Sequence, residues 1–158
     1  MYQDIIIETN NNVVMTNVYS IRKSLMCISS VYIFLYFLYY LSSYNIEDKQ
    51  NRMSQIISSV FYIYMNFIGL YGYKSYNICL VKCYNIYLLI ELFSKLIICF
   101  FFVQNLLVLI LLLLSIFTNI WILKLSYKYI KNVNDLNYED MISLKNNWRP
   151  TIYNVIYI

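Results

Sequence analysis

Between Tyr84 and Leu125 the chain runs for 42 residues with few strongly polar side chains: Asn85, Glu91, Lys95, Gln104, Asn105, Asn119 and Lys124. As one helix, at about 1.5 Å of rise per residue, the stretch would far exceed the ~30 Å hydrocarbon core of a bilayer. It must therefore fold back on itself. The polar pair near its middle, Gln104-Asn105, stands between Phe100 to Val103 and the apolar run Leu106 to Leu114, and is the expected turn of a helical hairpin.

The remainder of the chain belongs to the same class. Hydrophobic residues make up 61% and charged residues 13% of the sequence, with a mean hydropathy of +0.56. A soluble domain is roughly half apolar and about a quarter charged, so the class is integral membrane. One proline and two glycines in 158 residues mark no linker between domains. The expected fold is a single all-α, four-helix transmembrane bundle.

Apolar runs place the spans at 24–41, 56–73, 78–103 and 106–126, with a polar N-terminal tail over 1–23 and a C-terminal tail over 128–158. Arg22-Lys23 ahead of the first run also suits a signal peptide, but the run is about spanning length and lacks a small-x-small cleavage site, so it reads as a retained helix. Ser42 to Gln55 is a charged loop. Gly69 and Gly72, spaced Gly-x-x-Gly, predict close helix approach or a helix end rather than the GxxxG dimer motif. Lys74 to Asn77 is a tight connection. Trp121, Tyr127 and Tyr129 suit a membrane interface, and Lys124, Lys128 and Lys131 fall on one helical stripe. Asp135 to Lys145 predicts a short amphipathic helix with Leu136, Met141 and Leu144 as its apolar members, broken by Trp148-Arg149-Pro150; Thr151 to Ile158 has no clear period.

With four spans both termini share a side. That side carries Arg22, Lys23, Lys74, Lys82, Lys124, Lys128, Lys131, Lys145 and Arg149, against Lys49 and Arg52 opposite, and the positive-inside rule makes it cytosolic. These flanks account for the net charge of +4, so no nucleic-acid partner is inferred. The expected partners are the lipid bilayer and a membrane protein or a second copy of the chain.

Glu91 and Lys95 are the sharpest chemical feature. Four residues apart and near the middle of the third span, they share a helix face in the favourable Glu-before-Lys order. A lone charge at that depth costs about 2.5 to 3.5 kcal/mol on insertion scales. The pair is therefore either a self-satisfied lock on helix rotation, with Asn66 and Asn119 as candidate neighbours, or part of an ion path. Ser115, Thr118 and Asn119 form a second polar face, read as helix contacts. The excess of Tyr and Asn looks like AT-rich coding rather than selection for a chemistry, so single tyrosines are given no weight. Histidine is absent, no glycine-rich phosphate loop is present, and neither an enzyme, a cofactor nor a metal site is expected. Cys27, Cys79 and Cys83 fall at the basic ends of spans one and three, where a cysteine is either a palmitoylation site or a small buried hydrophobe.

The order Gly69-Leu70-Tyr71-Gly72, Lys74-Ser75-Tyr76-Asn77, Cys79-Leu80, Tyr84 and Glu91 resembles the tetraspanin pattern across spans two and three. The resemblance covers about a quarter of the chain. It implies a four-helix membrane organiser acting through lateral partners and palmitoylated at cytosolic cysteines. Tetraspanins carry a large disulfide-bonded loop between helices three and four; here that loop is Gln104-Asn105, so recognition through it does not carry over. The expected function is a non-enzymatic organising or assembly subunit, with a small transporter, channel or channel accessory using Glu91 and Lys95 as the alternative.

Overall fold

The apolar runs 24–41, 56–73 and 106–126 each lie within a helix longer than themselves, and the run that begins at Ile78 is helical from there to Phe101. The computed structural model describes residues 2–101, 105–146 and 148–150, with side chains from residue 13 onward. Helix α1 is Tyr2–Ser42, followed by a 3-10 turn at Ser43–Asn45; α2 is Lys49–Lys74, α3 Ile78–Phe101, α4 Leu106–Asn134 and α5 Tyr138–Lys145. No strand occurs among the described residues. Among the described residues, four helices are long and apolar enough to cross a membrane, over Val13–Asn45, Lys49–Lys74, Ile78–Phe101 and Leu106–Asn134. The chain is an all-α bundle in which α1 packs on α2, α2 on α3, α3 on α4, and α4 closes back on α1.

Local chemistry fixes the helix ends. Asp48 caps α2, its carboxylate accepting from the Gln50 amide at 3.0 Å, so the charged loop is shorter than expected from 42–55. Helix α2 ends in a Schellman motif: the Asn77 amide donates to the Gly72 carbonyl at 2.9 Å and the Tyr76 amide to that of Tyr73 at 3.4 Å. Tyr76 takes the left-handed position with φ 54°, which glycine usually fills. Asn77 then starts α3 by accepting from the Cys79 and Leu80 amides. Asn105 does the same for α4 through the Leu107 amide at 2.9 Å, while Gln104 and residues 102–103 lie outside the described residues.

Both glycines sit where α2 meets α3. A Cβ at Gly69 would stand 2.8 Å from the Tyr84 ring, and one at Gly72 3.1 Å from Leu80 Cβ and the Val81 nitrogen. Close approach, not a helix end, is their role.

The tails differ from the expected boundaries at 23 and 128. Met15, Val18, Ile21 and Leu25 recur every three or four residues and are buried in the core, so α1 is already part of the bundle before Arg22. Tyr129 and Val133 on α4 and Leu144 on α5 are buried in the same core. The reason is that an apolar run ends where the hydrocarbon ends, whereas a helix continues as long as one of its faces has something to pack against. The expected amphipathic helix is α5, folded against the bundle, and 151–158 lies outside the described residues.

Candidate functional site

The polar groups of the spans converge on the bundle axis. On α3, Glu91 is 8% exposed and its Oε1 lies 2.6 Å from Lys95 Nζ. The Tyr36 hydroxyl of α1 donates to the same oxygen at 3.0 Å. The Tyr62 ring of α2 stacks on Tyr36 with centroids 4.8 Å apart, and the Tyr87 hydroxyl sits buried beside the carboxylate without completing a hydrogen bond. Three helices thus meet at one neutral ion pair.

The expected neighbours Asn66 and Asn119 are elsewhere. Asn66 is buried one layer nearer the α2–α3 turn, accepting from the Tyr84 hydroxyl at 2.8 Å and donating to its own Tyr62 carbonyl at 2.9 Å. Asn119 is fully buried, and both atoms of its amide lack a partner among the described residues. Thr118 and Tyr32 exchange a hydrogen bond of 3.0 Å between α4 and α1, and Thr118 also donates back to the Ser115 carbonyl at 2.9 Å. Ser115 itself is half-buried and makes no interhelical hydrogen bond among the described residues. Nearer the turn, the Tyr73 hydroxyl donates to Ser126 at 3.0 Å, and Ser126 donates to Asn85 at 2.7 Å. Every adjacent helix pair is bridged in or near the membrane: Gln55 of α2 also donates to the Ser42 hydroxyl of α1 at 2.8 Å.

Glu91 and Lys95 stand out in the sequence, with Tyr84 and Tyr87 leading up to them on the same face, but Tyr36 and Tyr62 do not, because with 19 tyrosines composition hides which ones matter. Spacing carried the signal. Tyr62, Asn66, Gly69 and Tyr73 lie on one face of α2, as Tyr84, Tyr87, Glu91 and Lys95 do on α3. Helix α1 presents Tyr32 and Tyr36 at the same interval.

A lateral cleft of about 270 Å³ opens between α2 and α3 toward Glu91, lined by Phe61, Tyr62, Met65, Ile86, Tyr87 and Ser94 among others. Cys83 borders it. Cys27, Cys79 and Cys83 are free and exposed rather than buried, and Cys99 is half-buried. No group of three metal-ligating side chains occurs among the described residues.

No protein-family model, curated protein or solved structure matches the chain.

Near the midpoint of α1, about four turns before Tyr36, Arg22 donates to the Tyr76 hydroxyl, with its guanidinium carbon 4.3 Å from the centre of the same ring. That hydroxyl in turn donates to the Leu144 carbonyl of α5 at 3.4 Å. Burial pushes the Tyr76 phenol above its ordinary value, partly offset by Arg22. One tyrosine in a strained turn therefore ties α1, the α2–α3 connection and α5 together.

Proposed function

We propose that the chain is a non-enzymatic, multi-pass membrane protein that acts as an organising or assembly subunit through lateral helix contacts. One observation carries the reading. Glu91, Lys95 and Tyr36 pair with one another inside the bundle, whereas the described residues of 96–101 and 105–115 include none that is buried. Phe100, Phe101, Leu106 and Leu107 are 65 to 81% exposed. Such a surface faces either lipid or a neighbouring apolar helix, and two short stretches so little packed on their own bundle suit a neighbour.

The Glu91–Lys95 pair is, in this reading, a lock on helix rotation. Its neutrality and its third partner, Tyr36, support that role, since a buried charge is tolerated when paired and hydrogen-bonded. The basic collar supports cytosolic termini, and the tetraspanin-like order from Gly69 to Glu91 supports an organiser. Exposure of Cys27, Cys79 and Cys83 near that collar supports acylation there.

Transport is the second reading, favoured by the cleft that reaches Glu91 from the side. Affinity capture of the tagged protein from its native membrane in mild detergent, with mass spectrometry, separates the two. A stoichiometric membrane-protein partner or a defined homo-oligomer is the expected result. Ion flux in liposomes that disappears in Glu91→Gln plus Lys95→Met, with the protein still correctly folded, would replace assembly by transport.

A further inference from the structure

A pocket of about 180 Å³ lies at the basic end of the bundle, between α1 and the segment that follows α5. It is lined by Tyr19, Arg22, Lys23, Met26, Trp148 and Arg149. At roughly 30 Å³ per water it has room for a small polar group rather than for a single solvent molecule. The first four residues lie on one face of α1, at spacings of three, one and three. Trp148 and Arg149 arrive from the other side, held where the Trp148 amide donates to the Ser143 carbonyl at 3.0 Å.

Arg22 is oriented before any ligand arrives. Tyr76 holds one guanidinium nitrogen by its hydroxyl and the planar group by its ring, while the Nε, shielded from solvent, has no hydrogen-bond partner. A guanidinium carries five N–H donors in a fixed fork, so most of them remain available. Arg22, Lys23 and Arg149 have no carboxylate partner among the described residues, and the acidic Asp140 of α5 does not line the pocket. Three cations at one small cavity, with an aromatic wall, call for a multiply charged acceptor with several oxygens. A phosphomonoester has about −1.5 to −2 charge and three such oxygens.

The level in the membrane agrees. The span Val13–Asn45 has 33 residues, well beyond the ~20 needed for the hydrocarbon core, and Arg22-Lys23 stand just before its continuous apolar part. That is headgroup depth, where basic pockets meet anionic lipids. We propose that this pocket binds a phosphomonoester, carried by a lipid headgroup or free in solution.

The chain has two tryptophans, Trp121 and Trp148, so a Trp121→Phe background makes Trp148 the reporter. The full chain in phosphatidylcholine nanodiscs is titrated with phosphatidylinositol bisphosphate, with soluble inositol trisphosphate, and with phosphatidylserine at equal total charge. A saturable change in Trp148 fluorescence is expected with the bisphosphate lipid, weakened roughly tenfold or more by Lys23→Gln plus Arg149→Gln. Both of those side chains are exposed, so folding is spared even where Arg22→Gln disturbs the Tyr76 contact. Lys124→Gln plus Lys128→Gln, on the stripe outside the pocket, leaves the response in place. An equal response to the soluble trisphosphate assigns the ligand to free phosphate compounds; a response confined to the bilayer assigns it to a headgroup. Absence of any saturable change, an equal response to phosphatidylserine, or an equal loss in the Lys124 and Lys128 variant overturns the site.

Discussion

Toward its basic end the bundle is filled by Val18, Leu25, Tyr73, Val81, Tyr84, Ile122, Tyr129 and Leu144, each at most 1 or 2% exposed. Beyond Glu91 almost nothing is buried: among the described residues of that half, Ser43 and Ser59 are, and both are polar. The first half is held by packing together with the Tyr73–Ser126–Asn85 and Tyr84–Asn66 hydrogen bonds. The second is held by a few hydrogen bonds and one ion pair, at Tyr36–Glu91–Lys95 and from Gln55 to the Ser42 hydroxyl and the Tyr39 carbonyl. In lipid, apolar side chains gain nothing merely by leaving the solvent, so helices associate through close packing and interhelical hydrogen bonds. The stretches 96–101 and 106–114, rich in Leu, Ile and Phe and without Gly, Ala, Ser or Thr, therefore stay open.

Removing one charge at the boundary between the halves is the strongest way to break the comparison. Lys95→Met leaves a buried carboxylate with Tyr36 alone and is expected to cost about 3 kcal/mol, as when one partner of a buried pair is lost. Glu91→Gln combined with Lys95→Met recovers most of that, read as denaturation midpoints in detergent. Equal losses in the single and double variants would mean that the pair itself does not carry the lock.

A core truncation sharpens the contrast next. Leu25→Ala is expected to cost about 2 kcal/mol, the low end for a buried leucine because the transfer component is weaker in a membrane protein. Leu111→Ala, at a residue 59% exposed, changes the midpoint hardly at all in the isolated protein. Gly69→Ala comes third. Its methyl group would push the Tyr84 ring from 2.8 Å, and a loss of about 1 to 2 kcal/mol follows from overpacking against an aromatic wedge. Smallest are the single hydrogen bonds: Tyr36→Phe and Thr118→Val each lose about 0.6 kcal/mol, with 1.7 as the upper range for such pairs.

The spans were legible because hydrocarbon thickness sets a length that an apolar run either meets or does not. The helix ends were not, since Met15, Val18 and Ile21 pack against the bundle on the far side of a pair of charges that hydropathy treats as a boundary. Glu91 and Lys95 were legible as charges where charges are rare. Tyr36 was not, because its role depends on which face of α1 meets α3, and that is decided by tertiary packing rather than by anything in the residues around it. Asn66 and Asn119 were found as buried polar residues, yet their partners were misjudged for the same reason. The exposure of Cys79 and Cys83 likewise follows from which side of α3 the Tyr84, Tyr87 and Glu91 face claims for the interior.

The assembly role proposed above requires that the open half face protein rather than lipid. Site-specific photocrosslinking in the native membrane tests it directly, with the probe placed in turn at Phe101, Leu107, Leu111 and, as a reference in the packed half, at Tyr71, which is exposed at the basic end. A discrete protein adduct of constant size is expected from the first three positions and only lipid adducts from Tyr71. Lipid adducts alone from all four positions, with the protein correctly inserted, would contradict it.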